Sequence, residues 1–317
     1  MQRRPLLALL GLSPLAAAAE GTGLTDTWTD PARNGRALPV RIRLPAGTVG
    51  PAPAVVISHG LGGSRDGLGY LGRALAEAGF VAVHIQHPGT DIALWNGGGG
   101  DFSTALMAAA LDAGQALARL QDGLFALDEL ARRAAAPAGP LRGRVDLSRL
   151  AMAGHSYGAW TVQHMLGQRL PGGERGLPLP DPRLKAGVVL SPVPPRGLPP
   201  RLAFARVATP MLHVTGTLDS GYIEGATPQD REIPFRSIGG PPQALAVLEG
   251  ANHAAFADEP AAGPRWSNPA YHARTGGLAA LFLRAALLGD AAARAALRAG
   301  APGLLEEGDR LELKDFA

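Results

Sequence analysis

Short, continuous apolar runs that alternate with helical segments constrain the fold of this chain more than any other feature. Runs of this length without polar alternation are typical of parallel strands that are buried on both faces. The strands predicted from such runs are Ala54–Ser58, Phe80–Ile85, Leu150–Ala153, Lys185–Leu190, Pro210–Thr215 and, as the last strand, Ala244–Glu249. Pro39–Leu44 is also predicted to be a strand, because its apolar residues alternate with Arg41 and Arg43. Helices are predicted over Tyr70–Ala78, in a long region that reaches about Ala136, over Ala159–Gln168 and, as the closing helix, over Gly276–Leu288. The alternation predicts an α/β fold with a mostly parallel central sheet flanked by helices.

The composition excludes several classes of function. The 317 residues are 46% hydrophobic and 18% charged, so the chain can bury a sizeable core. The formal charge of +3 falls to near +1 without Arg3 and Arg4, which is too little to neutralise the phosphates of a nucleic acid. The chain contains no cysteine, which excludes disulfides, thiolate metal ligands, a cysteine nucleophile and a cysteine-linked lipid anchor.

The first 19 residues have the layout of a secretory signal peptide. A basic head, Arg3-Arg4, precedes an apolar stretch, Leu6–Leu15, and a run of small residues, Ala16–Ala19. The stretch is too short to cross a bilayer, and its prolines argue against a buried first helix. We expect residues 1–19 to direct export to the periplasm or the medium, with the twin-arginine route left open. Residues 20–317 are expected to form one domain without an integral membrane span.

The segment Gly154–Gly158, with the sequence Gly-His-Ser-Tyr-Gly and named here the elbow motif, lies between a predicted strand and a predicted helix, the elbow helix. A serine in such a sharp turn exposes its hydroxyl at the carboxyl edge of the sheet, and the flanking glycines leave room for the neighbouring strand and helix. The pattern alone is weak in a glycine-rich chain, so its context supports the prediction. Ser156 is therefore the candidate nucleophile.

A serine hydroxyl is a poor nucleophile unless a neighbouring base takes its proton. His253 follows the last predicted strand, in a loop at the same edge of the sheet, and is the candidate base. Asp219 follows the strand Pro210–Thr215 and is the candidate acid that fixes the tautomer of the histidine. His272 stays open as the base, and Glu224 and Asp230 stay open as the acid, whereas His164 and His213 are expected within a helix and a strand.

Backbone N–H donors for a developing oxyanion are expected from two places. Tyr157 directly follows the candidate nucleophile, and Leu61 lies in the glycine-rich turn His59–Gly63 after a buried strand. Removal of one such donor typically costs about 3 kcal/mol of transition-state stabilisation. The turn lacks the G-x-G-x-x-G spacing of a dinucleotide-binding loop, so no nucleotide cofactor is expected.

Aromatic and glycine-rich segments suggest where a substrate lies. Trp95 and Trp160 are predicted to be substrate-binding residues, and the four glycines Gly97–Gly100 predict a loop near the rim of the site or a plain disordered loop. Three histidines at the ends of two strands, His59, His84 and His87, have no carboxylate or i, i+4 partner. The sequence therefore favours no metal site there.

These motifs resemble a branch of the α/β-hydrolases. The branch includes bacterial proteins often named predicted dienelactone hydrolases, the plasma-type platelet-activating-factor acetylhydrolases and the cutinase-like polyester hydrolases. The similar stretches are Ile57–Arg65, His87–Gly89, Gly154–Gly158, Gly216–Asp219 and Gly250–His253, within a likeness that covers about residues 25–290. The resemblance implies the α/β-hydrolase fold and the hydrolysis of small-molecule or lipid-like carboxylic esters by Ser156, His253 and Asp219, without a cofactor. In the acetylhydrolases, the residues that match Leu61 and Tyr157 form the oxyanion hole.

Two departures from that branch matter. True dienelactone hydrolases use a cysteine nucleophile, and this chain has no cysteine. The acetylhydrolases carry their acid at the end of the strand after the elbow helix, where this chain has Ser191, so the acid is expected one strand later, as Asp219. Two other functions stay open: a peptidase or amidase with the same three residues, and a non-catalytic binding protein that retains the fold.

Overall fold

The computed structural model describes residues 23–48, 50–96, 102–221, 223, 225–259 and 268–316. The predicted signal peptide, the glycines Gly97–Gly100 and the alternative acid Glu224 lie outside these residues. Predictions that concern them stay predictions.

One central sheet organises the described part of the chain. Its strands are β1 (Leu24–Asp30), β2 (Arg36–Arg43), β3 (Ala52–Ser58), β4 (Val81–Ile85), β5 (Val145–His155), β6 (Leu184–Leu190), β7 (Met211–Leu218), β8 (Gln243–Asn252) and β9 (Arg310–Lys314). Their order across the sheet is β1-β2-β4-β3-β5-β6-β7-β8-β9. The strands from β4 to β8 in this order run parallel, and β1, β2 and β9 pair antiparallel with their neighbours. All residues of β3 and β4 are buried, which explains their unbroken apolar runs.

Helices cover both faces of the sheet, as predicted. They are α1 (Gly69–Glu77), α2 (Phe102–Leu111), α3 (Ala113–Ala134), α4 (Tyr157–Met165), α5 (Pro200–Ala203), α6 (Ile233–Ser237), α7 (Pro269–Leu287) and α8 (Ala291–Arg298). Val56 packs in one hydrophobic core with Leu127 and Val162, whereas the next residue, Ile57, packs in a second core with Phe282. Successive side chains of a strand point to opposite faces, so the two cores lie on the two sides of the sheet. The protein is thus a single α/β domain with a mostly parallel sheet.

Strand β8 and helix α7 confirm the strand predicted at Ala244–Glu249 and the helix predicted at Gly276–Leu288, but the predictions that these are the last strand and the closing helix are wrong. Helix α8 follows α7, and β9 then pairs antiparallel with β8 at the edge of the sheet. The sequence of β9, Arg-Leu-Glu-Leu-Lys, alternates polar and apolar residues, as expected for a half-exposed edge strand.

The long helical region that reaches about Ala136 consists of two helices. Asp112 separates them, because its side chain accepts hydrogen bonds from the N–H groups of Gly114 and Gln115 and so caps the start of α3. None of the helices in the described part of the chain combines the length and the apolar run that crossing a bilayer requires.

Candidate active site

Ser156 lies in a sharp turn between β5 and α4, with a backbone conformation that non-glycine residues rarely adopt. Its φ is 56° and its ψ is −115°, and such strain costs about 1–3 kcal/mol. Close packing of the backbone holds the turn in place. A Cβ atom on Gly158 would lie 2.0 Å from the carbonyl oxygen of Ser58, and one on Gly154 would lie 2.5 Å from the carbonyl carbon of Gly158. Both flanking positions therefore require glycine, as the sequence pattern predicts.

Ser156, His253 and Asp219 form one continuous array of hydrogen bonds. The Ser156 Oγ lies 2.9 Å from His253 Nε2, and His253 Nδ1 lies 2.8 Å from Asp219 Oδ1. The three residues come together because each directly follows one of the parallel strands β5, β7 and β8, at the same edge of the sheet. An ionised Asp219 requires the proton of a neutral His253 on Nδ1, which leaves a lone pair on Nε2 facing the serine hydroxyl. The arrangement can take the proton of Ser156.

Asp219 is fully buried and has more partners than the sequence suggested. Thr215 Oγ1 donates to its Oδ2 at 2.8 Å, and the buried Arg231 places its Nε 3.5 Å from Oδ1. Burial raises the pKa of Asp219, but the hydrogen bond from His253, the charge of Arg231 and the Thr215 hydroxyl outweigh it and lower the pKa to about 2. The carboxylate is therefore charged at neutral pH.

The turn Gly60–Gly63 packs beside the nucleophile. Gly63 N–H donates to the Gly60 carbonyl at 3.2 Å, and Gly62 has a φ of 75°, the positive value that a type II turn needs at its third residue. A Cβ atom on Gly60 would lie 3.5 Å from the Cβ of Ser156, so the turn packs directly against it. Within the described residues, the N–H groups of Leu61 and Tyr157 have no backbone or side-chain acceptor. Neither predicted oxyanion donor is therefore bound to an acceptor among the described residues.

Ser156 and His253 open onto a cavity of about 220 Å³. Its apolar walls come from Leu61, Leu68, Trp95, Leu106, Ile223 and Ala257. Two acidic residues also line it, but both are engaged: Asp258 accepts the N–H groups of Gly69 and Tyr70, and Glu259 accepts both the N–H and the hydroxyl of Ser64. The cavity suits a compact, largely apolar ligand.

The structure places the two predicted substrate-side tryptophans differently. Trp95 lines the cavity, and its Nε1 donates to the Gly62 carbonyl at 2.7 Å. Trp160 does not line this cavity and instead packs against His164, with ring centroids 4.3 Å apart, and against the hydrophobic core. Trp160 follows the elbow motif in sequence, but the side chain belongs to the packing of α4.

The alternative acid Asp230 and the alternative base His272 form hydrogen bonds with residues outside the array of Ser156, His253 and Asp219. His272 stacks on Tyr70 with ring centroids 4.1 Å apart and lies 3.0 Å from the Ala257 carbonyl. Asp230 accepts hydrogen bonds from the N–H and hydroxyl of Thr227. His84 lies 3.1 Å from the Gly67 carbonyl, and His164 and His213 pair with glutamine side-chain or backbone oxygens. Across the described residues, no group of three or more histidine or acidic side chains is arranged to hold a metal ion.

His155 belongs to the site, although no role was predicted for it from the sequence. It is buried beside the cavity, its ring centroid lies 4.9 Å from that of His253, and its Nε2 lies 3.1 Å from the His253 carbonyl. Burial lowers the pKa of His155 to about 3, so the ring is neutral and donates this hydrogen bond. His155 thus holds the backbone of the candidate base. Its position inside the elbow motif was the only available signal.

Neither the family models nor the curated proteins that were compared with the chain match it. The candidate site therefore rests on its motifs and its geometry: a polarised serine, a buried acid, an apolar cavity and two N–H groups that have no acceptor among the described residues. This combination can attack an electrophilic carbonyl carbon and stabilise the negative charge that develops on its oxygen.

Proposed function

We propose that the protein is a serine hydrolase of the α/β-hydrolase fold that cleaves carboxylic esters through an acyl-enzyme. The observation that supports this most strongly is the unbroken array from Ser156 through His253 to Asp219, which opens onto an apolar cavity. A binding protein would have no need for a strained, polarised serine at that position.

The reaction uses groups of the chain itself. The Ser156 oxygen attacks the carbonyl carbon of the ester while His253 Nε2 takes the serine proton. The N–H groups of Leu61 and Tyr157 donate to the oxyanion, and the charge of Asp219 stabilises the imidazolium. The tetrahedral intermediate then releases the alcohol, which receives the proton from His253. A water molecule, deprotonated by His253, attacks the acyl group and frees the carboxylic acid and Ser156.

An ester suits this site better than a peptide. A peptide substrate needs partners for its own N–H and C=O groups, and the walls of the cavity are mostly apolar. The two acidic residues on the walls, Asp258 and Glu259, already accept hydrogen bonds from the protein. We propose small-molecule or lipid-like esters as substrates.

The test is the hydrolysis of p-nitrophenyl acetate by the wild type and by Ser156→Ala. We expect a loss of at least about 10³-fold in kcat, because the remaining site has no nucleophile. Ser148→Ala, at an exposed serine of β5, is the matched control and keeps the wild-type rate. Equal rates for the wild type and Ser156→Ala would contradict the proposal, and faster cleavage of p-nitroacetanilide than of the ester would favour an amidase.

We also propose that residues 1–19 direct export, because of their basic, apolar and small-residue segments. Expression of the full chain in a bacterial host, followed by N-terminal sequencing of the periplasmic fraction, tests this. Processing close after Ala19 is expected, and a full-length cytoplasmic product would contradict the proposal.

A further inference from the structure

A second array of serine, histidine and aspartate lies beneath the turn Gly60–Gly63. The Ser58 Oγ is 2.9 Å from His87 Nε2, and His87 Nδ1 is 3.0 Å from Asp122 Oδ2. All three residues have no exposed surface. A substrate cannot reach Ser58, so this array serves some purpose other than covalent catalysis.

The array belongs to a larger buried network centred on Arg119, a fully buried residue of α3. The Arg119 guanidinium donates to Ser58 Oγ at 3.0 Å, to the His59 carbonyl, to Thr90 Oγ1 at 2.9 Å and to Thr161 Oγ1 at 3.2 Å. Burial lowers the pKa of Arg119 to about 10, so the side chain is a cation at neutral pH. A buried cation with only neutral oxygens in direct contact needs a counter-charge nearby.

Asp122 and Asp91 contribute to that counter-charge; Asp122 is linked to Arg119 through His87 and Ser58 and also forms ion pairs with Arg33 and Arg36. Burial alone would raise the pKa of Asp122, but the hydrogen bonds from His87 and Arg36 outweigh burial and lower it. Asp122 is therefore ionised at neutral pH. Burial lowers the pKa of His87 to about 4, so the neutral ring donates from Nδ1 to Asp122 and accepts the Ser58 proton at Nε2. The Ser58 oxygen then presents its lone pairs to Arg119. Each polar group in this relay has a partner, which makes the network rigid.

The contacts of Arg119 join the two elements that hold the candidate oxyanion donors. On the side of the turn, Arg119 holds the His59 carbonyl and the Thr90 hydroxyl, and the Thr90 carbonyl accepts the Gly62 N–H at 2.9 Å. On the side of α4, the Thr161 hydroxyl bonds both Arg119 and the Tyr157 carbonyl. The Arg119 guanidinium carbon also lies 4.5 Å from the centre of the Tyr157 ring.

We propose that Arg119 is a positioning residue that sets the spacing between the N–H groups of Leu61 and Tyr157. The inference rests on the proposed function, since it assigns those groups to the oxyanion. Donors of this kind stabilise a transition state only when they are held in place before the charge forms. Arg119 does not line the cavity, so its loss lowers kcat and leaves KM nearly unchanged.

The experiment compares wild type, Arg119→Met and two milder variants, Thr90→Val and Thr161→Val, each of which removes one hydroxyl partner of Arg119. We expect kcat for p-nitrophenyl acetate to fall about 100-fold in Arg119→Met and several-fold in each threonine variant, with KM within twofold. Affinity for a trifluoromethyl ketone, which binds as an oxyanion adduct, falls in parallel. Arg274→Met is the matched control: this buried arginine of α7 binds Asp309 and does not line the cavity.

The control separates positioning from stability. Arg274→Met lowers the melting temperature but keeps kcat within twofold of wild type. Unchanged kcat in folded Arg119→Met would overturn the inference. If Arg119→Met does not fold, unchanged kcat in both threonine variants would overturn it. If the wild type itself has no esterase activity, the proposed function and this inference both fail. That outcome is distinct from a failure of the inference alone, in which the wild type is active and the variants are equally active.

Discussion

Replacement of Asp219 by asparagine keeps the shape of the side chain and removes the negative charge beside His253. In the wild type, Asp219 Oδ1 lies 2.8 Å from His253 Nδ1, and Oδ2 accepts from the Thr215 hydroxyl at 2.8 Å. Arg231 Nε, 3.5 Å from Oδ1, favours an amide oxygen over an amide NH₂ at that position. The His253 tautomer is then retained, and the main loss is the electrostatic stabilisation of the imidazolium.

The size of that loss follows from Coulomb's law. At a charge separation of about 4 Å and an effective dielectric constant of about 20, the attraction is about 4 kcal/mol. The imidazolium forms only as the reaction proceeds, so this energy is lost from the transition state and corresponds to about 10³-fold in kcat. An asparagine that flipped its NH₂ toward His253 would impose the wrong tautomer and enlarge the loss.

The assay is steady-state hydrolysis of p-nitrophenyl acetate by wild type, Asp219→Asn and Asp258→Asn. Asp258 is a matched control because it lines the same cavity as a carboxylate but binds backbone N–H groups at the start of α1. We expect Asp258→Asn to keep kcat within about threefold, because its side chain binds the N–H groups of Gly69 and Tyr70 and forms no hydrogen bond with His253. A folded Asp219→Asn variant with kcat within tenfold of wild type would refute the electrostatic role of Asp219.

Two further predictions concern the fold. Gly158→Ala forces a methyl group against the carbonyl of Ser58, so we expect at least about 3 kcal/mol lower unfolding free energy and little activity, whereas Gly239→Ala, with open space around it, stays near wild type in urea titrations. Burial lowers the pKa values of five histidines to about 3 or 4: His84, His87, His155, His164 and His213. Above pH 6.5 these histidines are neutral in both the folded and the unfolded chain, so they do not lower the unfolding free energy. Below pH 6.5 they become protonated in the unfolded chain but stay neutral in the folded one, and each histidine then lowers the unfolding free energy by about 1.4 kcal/mol per pH unit. Urea titrations should give a much lower unfolding midpoint at pH 5.5 than at pH 7, and equal midpoints would contradict the prediction that these histidines stay neutral in the folded protein.

The sequence predicted the inner strands and the elbow because burial on both faces leaves an unbroken apolar run, and because the elbow needs glycine at fixed positions. Strands β1 and β9 were missed, since an edge strand alternates polar and apolar residues and resembles an exposed segment. Arg119 was also missed, because an arginine in an amphipathic helix is expected on the exposed face, whereas this one is fully buried. Its partners come from three other parts of the chain, so only tertiary packing identifies its role.

For Asp219, the sequence predicted the residue itself but not the partners that surround it. The order of the predicted strands placed this acid after β7, and in the structure Asp219 lies within hydrogen-bond distance of His253. The support from Thr215 and Arg231 had no sequence signal, because a lone threonine in a strand and a lone arginine in a loop occur at many positions without function. Trp160 is the opposite case: adjacency to the motif suggested a substrate contact, and the structure packs the side chain against the core.

The most direct measurement is the mass of the intact protein, and of its peptides, after reaction with a fluorophosphonate. We expect a single adduct on Ser156, no adduct in Ser156→Ala, and no modification of Ser58, which is buried together with its own histidine and aspartate. An unmodified wild type, or an adduct that persists in Ser156→Ala, would contradict the claim that Ser156 is the activated nucleophile.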